Sequence, residues 1–227
     1  MSTTEESTRP VLAPEQLRVL GALVEKELTT PQQYPLTLNA LTLACNQTSN
    51  RDPVVSFAES TVVRALEALR EKRLAVLFDG ATSRVPKYAH KFAETLALTP
   101  PEVAALAVLF LRGPQTAGEI RGRSGRLHEF ATIEETEATL RGLAEKSPPL
   151  VVKLPRQAGC KESRQAHLLS GPVTVEAPVR TSRPEPATLA VRLENDRLTG
   201  LEAETAALRR EVAGLKQELA DFKRQFA

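Results

Sequence analysis

The spacing of apolar residues predicts two helices near the start of the chain. In the first, four apolar residues recur every three or four positions: Leu17, Leu20, Val24 and Leu28. Pro14 suits the first turn of this helix, since the N–H that proline lacks would have no helical partner there. After a turn with two prolines (29–35), residues 36–47 are predicted to form a second helix.

Residues 56–91 are predicted to form a third helix followed by a two-stranded hairpin. Ser56 and Glu59 have the spacing of a capping box, which predicts the start of the helix at this point. The apolar stripe of this helix consists of Val62, Val63, Leu66 and Leu69. Strands are expected at 74–78 and 84–90, on either side of a turn at Gly80.

The same order of elements is predicted again in the middle of the chain. Thr99-Pro-Pro-Glu102 opens an apolar helix to Arg112, and residues 115–124 hold a shorter helix. A capping-box pattern from Thr132 opens a third helix, and strands are expected at 150–154 and 164–169. The two third helices carry Leu66 and Leu140 at equivalent places, an offset of 74 residues (140 − 66). This repetition indicates two copies of one supersecondary unit.

Three helices followed by a hairpin are typical of a winged helix. We therefore predict a mainly α protein with small β-hairpins (α+β), formed by tandem winged-helix domains, a proline-rich linker and a coiled-coil helix. The predicted boundaries are a disordered tail at 1–10, domains at 11–98 and 99–171, the linker at 172–187 and the coil at 188–227.

A heptad pattern in the last 30 residues predicts a parallel homodimer. The residues expected in its seam are Leu198, Leu201, Leu208, Val212, Leu215, Leu219 and Phe222. Between the flanking g and e positions of two such helices, all four charge pairs are of opposite sign, as a parallel in-register pair requires. Gly200, Gly214 and Thr205 weaken the pattern, and the alternative is one amphipathic helix that folds back on its own chain.

Composition and charge limit the classes of function. Thirty Lys and Arg residues against 28 Asp and Glu give a net charge of +2, so contact with nucleic acid would need local clusters of positive charge. Cys45 and Cys160 lack metal-site spacing and are expected to be reduced thiols. The chain shows no signal peptide or membrane span, and a cytoplasmic location is expected. No catalytic, cofactor or metal-binding motif occurs, which favours a non-enzymatic protein without cofactors.

Basic residues on the third helix, the hairpins and residues 121–126 are the candidate contacts to DNA. A winged helix places its third helix in the major groove and its wing against the backbone. The candidates are Ser60, Arg64, Arg84, Lys87, Arg121, Arg123, Arg126, Lys153, Arg156, Lys161 and Arg164. The third helices also carry carboxylates, among them Glu67, Glu71, Glu134 and Glu135, which phosphates repel. We therefore expect the wings and the arginine segment to lead any contact.

Four stretches carry a resemblance to a known family: 23–54 (LVEKELTTPQQYPLTLNALTLACNQTSNRDPV), 110–123 (FLRGPQTAGEIRGR), 126–130 (RLHEF) and 161–168 (KESRQAHL). In these the chain resembles the YceH-like family of bacterial proteins of unknown function. The resemblance implies a tandem winged-helix fold and a dimer, and no activity. Gly122 and Gly125 depart from the family's pattern locally and loosen the arginine segment.

Two functions from different classes follow as hypotheses. The first is a dimeric protein that binds duplex DNA, such as a transcriptional regulator. The second is a protein–protein interaction scaffold made of winged helices, in the manner of a chromosome-segregation accessory protein. The basic wings favour DNA, and the acidic third helix of the second copy favours a protein partner.

Overall fold

The computed structural model describes residues 10–78, 85–156 and 162–171, which form a mainly helical α+β structure with small antiparallel sheets. Its helices are α1 (Pro14–Thr29), α2 (Leu38–Cys45), α3 (Glu59–Glu71), α4 (Phe92–Thr95), α5 (Pro100–Arg112), α6 (Ala117–Ser124) and α7 (Ile133–Glu145). Its strands are β1 (Leu36–Thr37), β2 (Ala75–Phe78), β3 (Lys87–His90), β4 (Val151–Lys153) and β5 (Gln165–His167). The predicted mainly helical class is confirmed.

The predicted internal repeat is visible in the elements. The helices α3 and α7 both have 13 residues, and their bounds differ by 74 (133 − 59 and 145 − 71). Their buried positions also coincide at this offset, since Val62, Leu66 and Leu69 match Thr136, Leu140 and Leu143. Each copy therefore presents the same helix face to its core.

The first sheet has a third strand that the periodicity did not predict. Its order is β1-β3-β2, with Leu36 opposite Tyr88 and Thr37 opposite Lys87. The expected second helix thus begins at Leu38 rather than Leu36, because Leu36 and Thr37 pair with β3. The Thr37 hydroxyl then caps α2 by accepting a hydrogen bond from the Ala40 N–H at 3.3 Å.

The second copy reproduces this third strand as a single bridge. Gln115, just before α6, exchanges two backbone hydrogen bonds with Gln165 on β5, at 3.0 and 2.6 Å. Gln115 precedes α6 by two residues, just as Leu36 precedes α2 by two residues. Both copies therefore share one topology.

The starts of α3 and α7 differ from the predicted capping boxes. The third helix begins at Glu59 with Ala58 as its N-cap and no side-chain bond, so Ser56 is not the cap. The side chain of Asn46 instead bonds the N–H and the C=O of Phe57, at 2.7 and 2.9 Å. At α7 the Thr132 cap forms as predicted, although Glu135 accepts from the Ala131 N–H rather than completing a box with Thr132.

The first helices of the two copies, α1 and α5, pack against each other at the centre. At Gly21 the two helices come so close that a Cβ would lie 2.9 Å from Cδ2 of Leu111 and 3.2 Å from Cβ of Phe110. One buried cluster runs from Leu12 and Leu17 in the first copy to Leu150 and Leu169 in the second. Leu28, predicted in the buried stripe of α1, is 36% exposed at the end of that helix.

Across the described ranges, no helix combines the length and apolarity that crossing a bilayer requires. The predicted disordered tail (residues 1–9 of it), the linker and the coiled coil lie outside the described residues.

Candidate nucleic-acid interface

The third helix of the first copy presents Ser60 and Arg64 to solvent. They are four residues apart, hence on one face of α3, and both are exposed. The opposite face, with Val62, Leu66 and Leu69, is buried against α1 and α2. This packing directs the N-terminal half of the outer face, with a hydroxyl and a guanidinium, away from the core.

Two buried arginines hold the loop that leads into α3. Arg51 is fully buried and donates to the Ala44 C=O at 2.8 Å and to the Glu25 carboxylate at 2.5 Å. Arg18 donates to the C=O groups of Cys45 and Pro53, at 3.2 and 2.5 Å. Because the guanidinium groups bind main-chain oxygens on both sides of this loop, the entry to α3 is held in one arrangement.

The outer face of α7 is acidic where that of α3 is polar or basic. At the offset of 74 residues, Ser60 corresponds to Glu134 and Arg64 to Ala138. The backbone N–H of Glu134 and the Thr132 hydroxyl lower the pKa of the Glu134 carboxyl, so its negative charge is retained at neutral pH. The third helix of the second copy thus lacks the exposed hydroxyl and guanidinium that α3 has in the first copy.

Two of the three arginines at residues 121–126 form hydrogen bonds within the protein. Arg121 donates to the C=O groups of Phe130 and Ala131, at 3.2 and 2.8 Å. Arg123 bonds the side-chain oxygen of Gln115 and lies 3.7 Å from the Glu119 carboxylate. These bonds give both arginines a role in holding α6 to its neighbours.

Arg126 differs from the other two arginines of the segment. It is exposed, and no residue in the described ranges forms a hydrogen bond or ion pair with it. Of the three predicted arginines, Arg126 is therefore the one whose guanidinium is available to a phosphate.

Four of the predicted basic residues lie on or beside the strands of the two hairpins. Lys87 is half-buried on β3, opposite Phe78 and Thr37. The exposed Lys153 is the last residue of β4, and the half-buried Arg164 adjoins β5, where its C=O accepts from the Leu154 N–H at 2.8 Å. Arg156 is exposed beyond β4.

Arg84 and Lys161 lie outside the described residues, as do all the predicted dimer contacts: Leu198, Leu201, Leu208, Val212, Leu215, Leu219 and Phe222.

The fold brings the candidates into two separate groups. In the first copy Ser60 and Arg64 share the N-terminal half of α3. In the second copy Arg123, Lys153 and Arg164 surround the bridge between Gln115 and Gln165. Arg51 in the loop before α3 and Arg18 on α1 were not expected to be structural, because neither a polar loop nor a helical period signals that an arginine is buried.

Ionisable groups elsewhere in the described ranges do not form a metal-binding cluster. No group of three or more His, Cys, Asp and Glu residues there is arranged to hold a metal ion. Cys45 is buried as a free thiol, and burial raises its pKa to about 12. A thiol with so high a pKa is a poor nucleophile, so Cys45 serves packing.

The chain is similar to known proteins over most of its length. A family model described as "Protein of unknown function, DUF480" matches residues 12–160. A UPF0502 protein of Opitutus terrae is 56% identical over 188 residues, which are 82% of each chain. A UPF0502 protein of Geobacter sulfurreducens is 54% identical over 193 residues, 85% of this chain and 88% of that protein. Neither the family description nor these names assigns an activity.

Proposed function

Since the chain belongs to the DUF480 family of bacterial proteins of unknown function, we propose from its own geometry that it is a non-enzymatic tandem winged-helix protein that binds duplex DNA. The resemblance to an uncharacterised bacterial family is thereby confirmed, and the family supplies no activity to transfer. The proposal includes a homodimer formed through residues 188–227.

Three features of each copy support the winged-helix assignment. The order is three helices and then an antiparallel hairpin, β2–β3 in the first copy and β4–β5 in the second. A short segment before the second helix pairs with the last strand in both copies, through Leu36 and Gln115. The third helix packs on the first in both, which leaves its other face free to enter a groove.

The observation that carries the DNA proposal is the exposed pair Ser60 and Arg64 on α3. In helix-turn-helix proteins the N-terminal residues of the recognition helix contact base edges, and arginine is the commonest reader of guanine. Of the carboxylates of α3, Glu67 and Glu71 lie in its C-terminal half, whereas Glu59 lies in the first turn, where it complements the helix dipole. At 1.5 Å per residue Glu67 is about 10 Å from Ser60 along the axis.

The charge distribution makes the first copy the reader and the second an auxiliary contact. Glu134 and Ala138 stand where α3 has Ser60 and Arg64. The second copy contributes through Arg126, Lys153 and Arg156, which are exposed and suited to phosphate. With one exposed arginine in the N-terminal half of α3, we expect modest sequence preference and marked dependence on salt.

Fluorescence anisotropy with a labelled 25-base-pair duplex of mixed sequence, near 50 mM salt, tests this proposal. We expect binding at micromolar protein, and Arg64→Ala should weaken it about tenfold, as loss of a base or phosphate contact does. Arg141→Ala is the matched control, because Arg141 is an exposed arginine on α7. Absence of binding in the wild-type chain would refute the DNA assignment, and equal effects of the two substitutions would refute the role of Arg64 on α3.

A protein-interaction scaffold is the second candidate, and the outer face of α7 favours it. Glu134, Glu137 and Glu145 are exposed there against Arg141, a charge pattern suited to a basic protein surface. A chain that binds no DNA, while Glu137→Lys abolishes binding to a basic protein, would decide for the scaffold.

A further inference from the structure

The strand β2 is an edge of the first sheet. In the order β1-β3-β2 only β3 pairs with it, with Ala75 opposite His90 and Phe78 opposite Lys87. No other residue of the described ranges bonds the outer side of β2. Such an edge offers unpaired N–H and C=O groups to another extended chain.

The ladder identifies which groups point outward. The Lys91 N–H donates to the Leu74 C=O at 2.9 Å, and directly opposed residues alternate between bonded and non-bonded pairs in an antiparallel ladder. Val76 and Ala89 then form a bonded pair, whereas Ala75 and Leu77 direct their N–H and C=O groups away from β3. The second copy supports this alternation, because its bonds join Leu150 to Leu168 and Leu154 to Arg164.

An open groove runs along this edge, with α3 as its other wall. It is lined by Glu67, Arg70, Glu71, Ala75, Val76 and Leu77. Glu67 and Glu71 are one helical turn apart and exposed, and no described residue forms an ion pair with either. The lining thus holds two carboxylates against one guanidinium, that of Arg70, so a groove of net negative charge lies beside a free strand edge.

We propose that this groove binds an extended peptide segment of a partner protein that carries a Lys or Arg side chain. The segment adds a fourth strand to the sheet through the N–H and C=O groups of Ala75 and Leu77. Its cationic side chain lies between the carboxylates of Glu67 and Glu71, and its apolar side chains contact Val76.

The site belongs to the first copy. At the offset of 74 residues, Glu67 and Glu71 correspond to Arg141 and Glu145, so α7 lacks the pair of carboxylates. The assignment goes beyond the proposed function, since it assigns a protein ligand to the C-terminal half of α3 and to β2, whereas the DNA proposal uses the N-terminal half.

Selection of 12-residue peptides from a random phage-displayed library on the full chain tests the proposal, in the absence of DNA. We expect binders enriched in Lys or Arg, with affinities measured on synthetic peptides by anisotropy. Glu67→Lys with Glu71→Lys should weaken them at least tenfold, and Glu129→Lys, at an exposed carboxylate between α6 and α7, should change affinity less than twofold.

Two further changes separate strand addition from a purely ionic contact. Leu77→Pro removes one outward N–H and leaves the β2–β3 ladder intact, so peptide binding should be lost while circular dichroism is unchanged. If that variant misfolds, N-methylation at alternate residues of the peptide makes the same test on the ligand. Failure to recover any binder, or binders that tolerate both N-methylation and the double charge reversal, would overturn the proposal. DNA binding by the same wild-type chain is scored separately, so the two proposals fail independently.

Discussion

At the scale of single residues, the ion pair of Arg51 and Glu25 joins a fully buried guanidinium to a carboxylate that is largely buried. Arg51 is among the largest side chains that the described fold buries completely, and its Nη2 lies 2.5 Å from the Glu25 carboxylate. It also donates hydrogen bonds to the Ala44 C=O and to the side-chain oxygen of Gln47, so its buried N–H groups have several acceptors. Such a group stabilises the fold only while its counter-charge is present.

Removing Glu25 should therefore destabilise the protein strongly. Glu25→Ala leaves the Arg51 charge buried without its carboxylate, and we expect a loss of about 3 kcal/mol in the free energy of unfolding. Urea denaturation measures it. Glu94→Ala is the control, since Glu94 pairs with Lys91 at 2.8 Å in an exposed bridge and should cost less than about 1 kcal/mol. Equal losses in the two variants would show that the burial of Arg51 has no energetic consequence.

The His167 imidazole makes stability depend on pH. Burial lowers its pKa to about 4, its ring packs edge-on against Phe110, and its Nδ1 has no hydrogen-bond partner in the described structure. The unfolded chain binds a proton at the ordinary pKa of about 6.5, so the stabilising effect is complete above that value and is lost as the pH falls towards 4.

Between pH 7.5 and 5 this one group should cost about 2 kcal/mol of unfolding free energy. Denaturation of the wild type and of His167→Phe over this range isolates the contribution, because other groups titrate equally in both. The variant should lose about 2 kcal/mol less than the wild type on acidification. Parallel pH profiles for the two proteins would contradict the assignment.

At the scale of elements, the packing of α1 on α5 depends on the absence of a side chain at Gly21. The atoms that a Cβ would meet belong to Leu111 and Phe110, which are themselves buried and have little room to move. Gly122 on α6 has no atom within 4 Å of the equivalent position. One substitution should therefore have opposite effects in the two helices.

Gly21→Ala is expected to lower stability by about 1 kcal/mol, because crowding of a packed core outweighs the gain in helix propensity. Gly122→Ala should raise stability by up to about 1 kcal/mol, because propensity acts there without a clash. Thermal unfolding of both variants shows whether each substitution raises or lowers the stability of the protein. Stabilisation by Gly21→Ala would mean that α5 shifts to accommodate the methyl group.

At the scale of the whole molecule, the two copies are joined by more than the α1–α5 contact. The Leu12 N–H donates to the Leu169 C=O at 2.6 Å, and the Asp52 N–H donates to the Leu111 C=O at 2.8 Å. These bonds connect the ends of the described part and tie the loop before α3 to the end of α5. The candidate surface on α3 is thus positioned by residues of both copies.

Dimerisation is the prediction that belongs to this scale, and it rests on the heptad pattern at residues 198–226. A chain that ends at Gly171 should sediment as a monomer at concentrations where the full chain is a dimer. Analytical ultracentrifugation makes the comparison, with circular dichroism as the check on folding. A truncated protein that remains a tight dimer would place the interface within residues 1–171.

Prediction from the sequence succeeded where one period dominates a long segment. The bounds of α5 and the start of α7 follow from the capping patterns at Thr99 and Thr132 and from the apolar run to Arg112. The offset between the third helices follows from apolar spacing, because a helix of 13 residues repeats its buried face several times. The strand β1 was missed because two residues, Leu36 and Thr37, are too few to show alternation. Ser56 was wrongly assigned as a cap because the Asn46 side chain takes the Phe57 N–H just before α3.

Only part of the candidate site was predicted, because local periodicity does not reveal contacts between residues distant in the chain. Exposure of Ser60 and Arg64 follows from the helical period, but the bonds of Arg121 and Arg123 to Phe130 and Gln115 depend on contacts that folding creates. The sequence by itself determined the mainly helical class, the repeated order of three helices and a hairpin, and the outward face of α3, because these depend on local periodicity. Only the tertiary structure decided which cations are engaged within the protein, that Arg51 is buried, and that β2 is a free edge, because each depends on residues distant in the chain.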